Sequence, residues 1–303
     1  MKIKIALCQV NPSFNEPEIN FQKMEVIIDK YSKKKVKLFI FPEDFLYGVL
    51  RDRSQIAGAG NNFNLWVKRF STLARKYKVD LIPGSFPMLE KHKLFNTTIY
   101  IDKNGQALNQ YSKTNLWLSE RAEFTPSTQQ PKSFNSILGK TIQIICWDLM
   151  NPRIFEAAIK QDAQWIIITS LWTTNQTRSL AKSRGKTKNK YHIPVNRSER
   201  LTAILETRST EYNIGVIFCN IGGKHQYLAD DGLLQHANSA GSTQVITPLD
   251  SVNRGVKSRT EQILLCEIPD IKDSILDHEI LWGRREDIKN NYPWGTSLNP
   301  VLG

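Results

Sequence analysis

Short apolar runs of strand length alternate along this chain with amphipathic stretches of helical period, and that alternation restricts the fold class more than any other feature. Ile3, Ile5 and Leu7 fall on one side of an extended segment over 2–10, the period of a strand. Over 16–33, Phe21, Met24, Ile27, Ile28 and Tyr31 recur at helical spacing, and Pro17 stands near the start, where its missing N–H does no harm. Residues 36–41 form an apolar run broken by Pro42, a buried strand by length. Over 62–78, Trp66, Phe70, Leu73, Ala74 and Tyr77 share one helical face. Residues 81–82 and 97–101 read as further strands, the second closed by the turn Asp102, Lys103, Asn104, Gly105. The second half repeats the habit: strands at 141–146, 165–169, 214–219, 243–247 and 263–268, a helix at 152–160 with Asn151 as N-cap, and another at 199–212. This order predicts an α/β fold with helices packed outside a mixed sheet. No repeat with a period of about 20–50 residues is visible, which argues against solenoids and propellers.

Residues 1–303 are expected to form a single domain, since no Pro/Gly/Ser-rich linker divides them. Two parts stand apart. Residues 173–198 lack apolar periodicity and read as a long polar insertion, functional or mobile. From about 279 to 303 the chain reads as a C-terminal tail, with Arg284, Arg285 and Trp294, that needs a surface to pack on; a neighbouring subunit is one candidate. The net charge of +12 is concentrated. Arg178, Lys182, Arg184, Lys186, Lys188, Lys190, Arg197 and Arg200 face only Glu199 within 176–200. A basic patch of this kind suggests nucleic acid, an anionic surface or an acidic substrate. Nucleic acid is disfavoured because no RNP, zinc-finger or helix-turn-helix pattern accompanies the charge.

Nothing at the N-terminus resembles a secretory signal, and no segment approaches the roughly 20 apolar residues of a membrane span. Cys8, Cys146, Cys219 and Cys266 are far apart, without metal spacing. Reduced thiols in a cytoplasmic protein are the expectation. Nucleotide-loop candidates fail as well: Gly139, Lys140, Thr141 and Gly185, Lys186, Thr187 have Phe134 and Leu180 where the first glycine belongs. Neither GxSxG nor HExxH occurs.

Cys146 is the most informative position. It closes a strand and precedes a helix start near Pro152, a turn where free backbone N–H groups and a helix dipole favour thiolate and stabilise an oxyanion. The other three cysteines lie inside strands, where a small buried hydrophobe is the ordinary reading. A cysteine nucleophile needs a base, and no histidine lies in a recognisable active-site motif. Glu43 follows the apolar run ending at Pro42, where a buried strand meets a loop, the usual place for function in α/β sheets.

The whole pattern resembles the nitrilase, or carbon–nitrogen hydrolase, family. Phe41-Pro42-Glu43 with Gly48, Tyr111-Ser112-Lys113-Thr114, Glu120 with Phe124-Thr125-Pro126, and Ile144-Ile145-Cys146-Trp147-Asp148 with Pro152 occur in the family's order. The spacings are 70 residues from Glu43 to Lys113 and 33 from Lys113 to Cys146. Arg208, Glu211, Asn220, Gly241-Ser242, Pro248 and Arg284-Arg285-Glu286 extend the likeness; Arg153, Ser127 and Asp250 depart from it, away from the triad.

The resemblance implies a four-layer αββα sandwich, a homodimer or larger assembly, and no metal or organic cofactor. It implies Glu43 as general base, Lys113 as the second triad member, Cys146 as nucleophile and Glu120 as a supporting acid. The Trp147 N–H would join Lys113 at the oxyanion, and Trp172 would border the substrate pocket. Glu43, acting as base and acid in turn, would need a pKa nearer neutrality, raised by burial and opposed by Lys113. The implied activity is hydrolysis of a small amide or N-carbamoyl compound through a thioester. Asp148, two residues after the cysteine, tilts the reading from nitriles to amides. Nitrile hydrolysis on the same triad, or an inactive member binding an anion through its basic loop, are the alternatives.

Overall fold

A computed structural model describes residues 2–174, 197–228, 234–248, 254–256 and 258–291. The interior of the basic insertion, 175–196, and Asp250 therefore lie outside the described residues. Among the described residues, the strands form two main sheets and a separate two-stranded antiparallel pair.

The first sheet contains β1 (Ile3–Gln9), β2 (Leu38–Ile40), β3 (Asp80–Ile82), β4 (Ser85–Glu90), β5 (Lys93–Ile101), β6 (Ala107–Ser112) and the late strand Gln262–Ile268. Its centre is parallel: Leu7 stands beside Ile40, and Ile40 beside Ile82. Gln262–Ile268 returns antiparallel along the whole of β1. The second sheet is built on β7 (Phe134–Ser136), β8 (Gly139–Ile145), β9 (Trp165–Ser170) and β10 (Gly215–Asn220), with β8, β9 and β10 parallel and Gln244–Ile246 and Arg254–Gly255 at the far edge.

Side chains alternate faces along each strand, and the two faces have different partners. Ile5, Leu7, Leu38 and Ile40 turn inward to meet Trp165 and Ile217 of the other sheet. The outward Ala6, Cys8 and Phe39 pack under helices α1 (Pro17–Ser32), α2 (Arg53–Asn61) and α3 (Phe63–Tyr77) through Met24, Ile56 and Phe70. On the second sheet, outward Ile144, Ile166 and Phe218 pack under α4 (Pro152–Lys160) and α5 (Arg197–Glu211) through Phe155 and Leu205. Helix, sheet, sheet, helix is the αββα sandwich. The four-layer sandwich implied by the family resemblance is what forms, whereas the alternation of elements alone points to a single mixed sheet and there are two. Strands with both faces covered read as unbroken apolar runs, so periodicity alone does not separate one sheet from two.

Two stretches differ from their sequence reading. Helix α2 is weakly amphipathic and carries Gly58 and Gly60, so no apolar stripe announces it. Gly60 lets it lie against β4: a Cβ there would come within 2.9 Å of the Leu89 backbone nitrogen. The C-terminal stretch is not a free tail over its described part. Residues Lys272–Trp282 form α6 and Arg284–Asn290 form α7, and α7 packs against α4 of the same chain. The buried Arg285 guanidinium donates to the carbonyls of Ala163, at 3.1 Å, and Asn213, at 3.0 Å. Those groups end a helix-to-strand turn and would otherwise be buried unsatisfied. Residues 292–303, Trp294 included, lie outside the described residues. No helix among the described residues is long and apolar enough to cross a membrane.

Truncating Arg285 would strand two carbonyls at roughly 1–3 kcal/mol each. Arg285→Ala is expected to lower the unfolding free energy by about 2–6 kcal/mol in urea titration, and an unchanged midpoint would show that the guanidinium is not what satisfies those carbonyls.

Candidate active site

The site lies between the two sheets, which supply different parts of it. From the first sheet come Glu43, just after β2, and Lys113, just after β6. From the second comes Cys146, the residue after β8. The Glu43 side chain is nine-tenths buried or more and every oxygen is engaged. Oε1 accepts from Lys113 Nζ at 2.8 Å and Asn96 Nδ2 at 3.0 Å, and Oε2 accepts from the Leu171 backbone N–H at 2.8 Å. Lys113, 1% exposed, donates at 2.8 Å to Glu43 and to both oxygens of Glu120. Glu120, in the 3-10 turn Ser119–Ala122, also accepts the Trp117 N–H at 2.6 Å. The Cys146 thiol lines the same cavity as Glu43, near enough for each group to shift the other's pKa.

Cys146 begins the 3-10 turn Cys146–Met150 with φ +46, a left-handed conformation that non-glycine residues rarely adopt. Asp148 holds the turn in place. Its buried carboxylate accepts from the Ile145 N–H at 3.1 Å, the Tyr111 hydroxyl at 2.8 Å, Thr114 Oγ1 at 3.0 Å and the Asn115 N–H at 2.8 Å. Tyr111 and Thr114 flank Lys113, so one carboxylate ties the ammonium's segment to the sulfur's. A cavity of about 250 Å³ opens onto these groups. Three tryptophans form one wall: Trp147 lies with ring centroids 4.2 Å from Trp117 and 5.4 Å from Trp172. All six residues singled out from sequence, Glu43, Lys113, Cys146, Glu120, Trp147 and Trp172, line this cavity.

Residues 4–269 match the family model described as carbon-nitrogen hydrolase. The chain belongs to the carbon-nitrogen hydrolase family. A probable nitrilase of Schizosaccharomyces pombe is 28% identical over 271 residues, which cover 86% of this chain and 89% of the relative. The 2-oxoglutaramate amidase of Bacillus subtilis is 24% identical, covering 74% of this chain and 78% of its own. Among solved structures, an amidase of Nesterenkonia sp. AN1, with the acetamide moiety of fluoroacetamide bonded to its active-site cysteine, superposes with a TM-score of 0.71. It is 20% identical and the match covers 96% of this chain and 97% of that one; the likeness carries the four-layer fold.

In this carbon-nitrogen hydrolase, burial and the neighbouring charges together set the protonation states. It raises the Glu43 pKa above the ordinary glutamate value; the Lys113 charge opposes the rise and the Glu120 charge adds to it. For Lys113, burial acts to lower the pKa, but the Glu120 and Glu43 carboxylates win and hold the ammonium charged. Burial, then the Glu43 charge, push the Cys146 thiol well above its usual range. The resting sulfur is therefore protonated. That corrects the expectation that its turn favours thiolate, because loss of hydration outweighs the local N–H groups in so enclosed a site.

Several groups were missed in the sequence. Asn96 is buried mid-strand on β5 and carries no motif. Ser170 ends β9 alongside Cys146, because Ile145 stands in register with Thr169. Its buried hydroxyl has no hydrogen-bond partner among the described residues, and beside the sulfur it acts to lower the thiol pKa against the larger effect of burial. Only the pairing of parallel strands brings it there.

A hydroxyl beside a forming thiolate stabilises it by about 1 kcal/mol at most, somewhat under one pH unit. Ser170→Ala is expected to move the pH midpoint of Cys146 alkylation by iodoacetamide upward by roughly half a unit to one unit. A midpoint that stays put, or falls, would remove Ser170 from the account.

Proposed function

We propose that this protein hydrolyses the C–N bond of a small amide or N-carbamoyl compound through a thioester, with Glu43, Lys113 and Cys146 as the reacting groups. The observation that carries the reading is the Glu43 carboxylate, which lies in one buried pocket against both the Cys146 thiol and the Lys113 ammonium. Amidases among the relatives and a cavity smaller than the ~300–1,000 Å³ of drug-sized sites support a small amide.

The steps follow from these positions. Glu43 removes the Cys146 proton as the sulfur attacks the amide carbon, so the thiolate forms only with substrate in place. Negative charge moves to the carbonyl oxygen, where Lys113 and the Trp147 backbone N–H oppose it. Glu43 returns the proton to the departing nitrogen, the C–N bond breaks, and ammonia or an amine leaves. A water molecule then gives a proton to Glu43 and attacks the thioester; the proton passes back to sulfur, and a carboxylic acid is released. Glu120 keeps Lys113 oriented and charged throughout. In the same reading residues 1–303 act as one catalytic domain, assembled as a homodimer or larger oligomer, in a cytoplasm that keeps Cys146 reduced.

The test is ammonia release from short aliphatic amides, ω-amides and N-carbamoyl amines. Cys146→Ala is expected to abolish turnover while the protein stays folded, and Glu43→Gln and Lys113→Ala to lower kcat by about a thousandfold. Glu43 must be ionised to take the proton, and its pKa is raised from 4.5. The rate should therefore fall as pH drops through a midpoint above 4.5, and Glu43→Gln should lack that limb. Turnover that persists in Cys146→Ala rules the mechanism out.

A further inference from the structure

We propose that the substrate is an amide whose acyl chain also carries a carboxylate, and that Arg200 at the cavity wall receives that carboxylate; this rests on the reading of Cys146 as nucleophile. The cavity is lined by three cations, Lys113, Arg51 and Arg200, and they differ in one respect. Lys113 is matched by Glu43 and Glu120. Arg51 donates to both oxygens of Glu123 at 3.2 Å. Arg200 has no carboxylate partner among the described residues, and the stretch leading into its helix, 175–196, contains no Asp or Glu at all. Asp44, the remaining acid of the cavity, does not supply the missing charge. Burial, with Glu43 and Glu120 close by, raises its pKa well above the ordinary carboxylate range and so disfavours its charged form.

Helix structure gives no reason for an arginine at this place. Position 200 lies in the first turn of Arg197–Glu211, where the helix dipole disfavours a cation. Its neighbour Leu201 is 1% exposed and anchors that turn in the core, while Ile204, one turn on, lines the cavity beside it. The guanidinium is thus presented from a fixed helix rather than from a wandering loop, with its fork free for bidentate pairing to a carboxylate. Around it the wall is apolar and aromatic, formed by Trp147, Trp172, Leu201 and Ile204. A short methylene chain suits that wall, with the amide at Cys146 and the acid at Arg200. The small volume favours a monoamide of a short dicarboxylic acid.

Binding and turnover separate this proposal from the one it rests on. Cys146→Ala protein is titrated by calorimetry with glutaramate and with hexanamide, a neutral amide of similar length. Arg200 is exposed, so glutaramate is expected to bind severalfold, up to about fivefold, more tightly, as an ion pair open to solvent allows. Adding Arg200→Ala should bring the two affinities close together, Arg200→Glu should invert them, and Arg200→Lys should restore part of the preference. With the wild-type protein, the kcat/KM ratio of glutaramate to hexanamide should collapse in Arg200→Ala through a rise in the KM for glutaramate. Equal binding of the two amides, or equal losses for both in Arg200→Ala, overturns the proposal. Selective binding without turnover of any amide would refute the hydrolytic reading and leave the carboxylate site standing.

Discussion

Burying an ammonium between carboxylates strips each ion of its water, at several kcal/mol per ion, and the arrangement around Lys113 is the answer to that cost. Each oxygen of Glu43 and Glu120 accepts a hydrogen bond, and the donors are drawn from Lys113, Asn96 and the backbone of Leu171 and Trp117. With two acids for one base, the cluster also carries surplus negative charge beside Cys146. That surplus suits the proposed chemistry, because it keeps the thiol protonated until a substrate carbonyl is present to take up the charge. A permanently ionised sulfur would be open to oxidation and to any passing electrophile.

The local strain at Cys146 is held by a second buried acid. Asp148 gathers donors from Ile145, Tyr111, Thr114 and Asn115, so the left-handed turn is part of a network and not an isolated kink. Asp148 was read in the sequence as a mark of substrate class. Its contacts give it a mechanical role, which is to keep the end of β8 and the end of β6 in fixed relation.

Much of this was legible in the sequence, and for identifiable reasons. Glu43, Lys113, Glu120 and Cys146 each follow an extended run or sit in a short motif, and their order and spacing carry information that single residues do not. The strand near 165–170 showed through because burial on both faces leaves an apolar string, and the one at 3–9 through the alternation of Ile3, Ile5 and Leu7. Ser170 and Asn96 were not legible, since their roles arise from lateral strand pairing, which a one-dimensional pattern does not record. Arg200 was visible only as one base among eight. Its isolation from counter-charge became apparent once Arg51 and Lys113 were seen to be matched. Helix α2 and the pairing of Arg285 with distant carbonyls were hidden for the same kind of reason: close backbone approach and capping at long range leave no periodic trace.

The base and the nucleophile are mounted on opposite plates of the sandwich. Their separation is therefore set by how the plates stack, through residues such as Trp165, Ile217 and Leu38 that touch neither. A slight shear of one sheet over the other would part sulfur from carboxylate without disturbing a single side-chain rotamer at the site. Alignment of the catalytic pair is in this sense a property of the interior as a whole, and substitutions there would detune the chemistry from a distance.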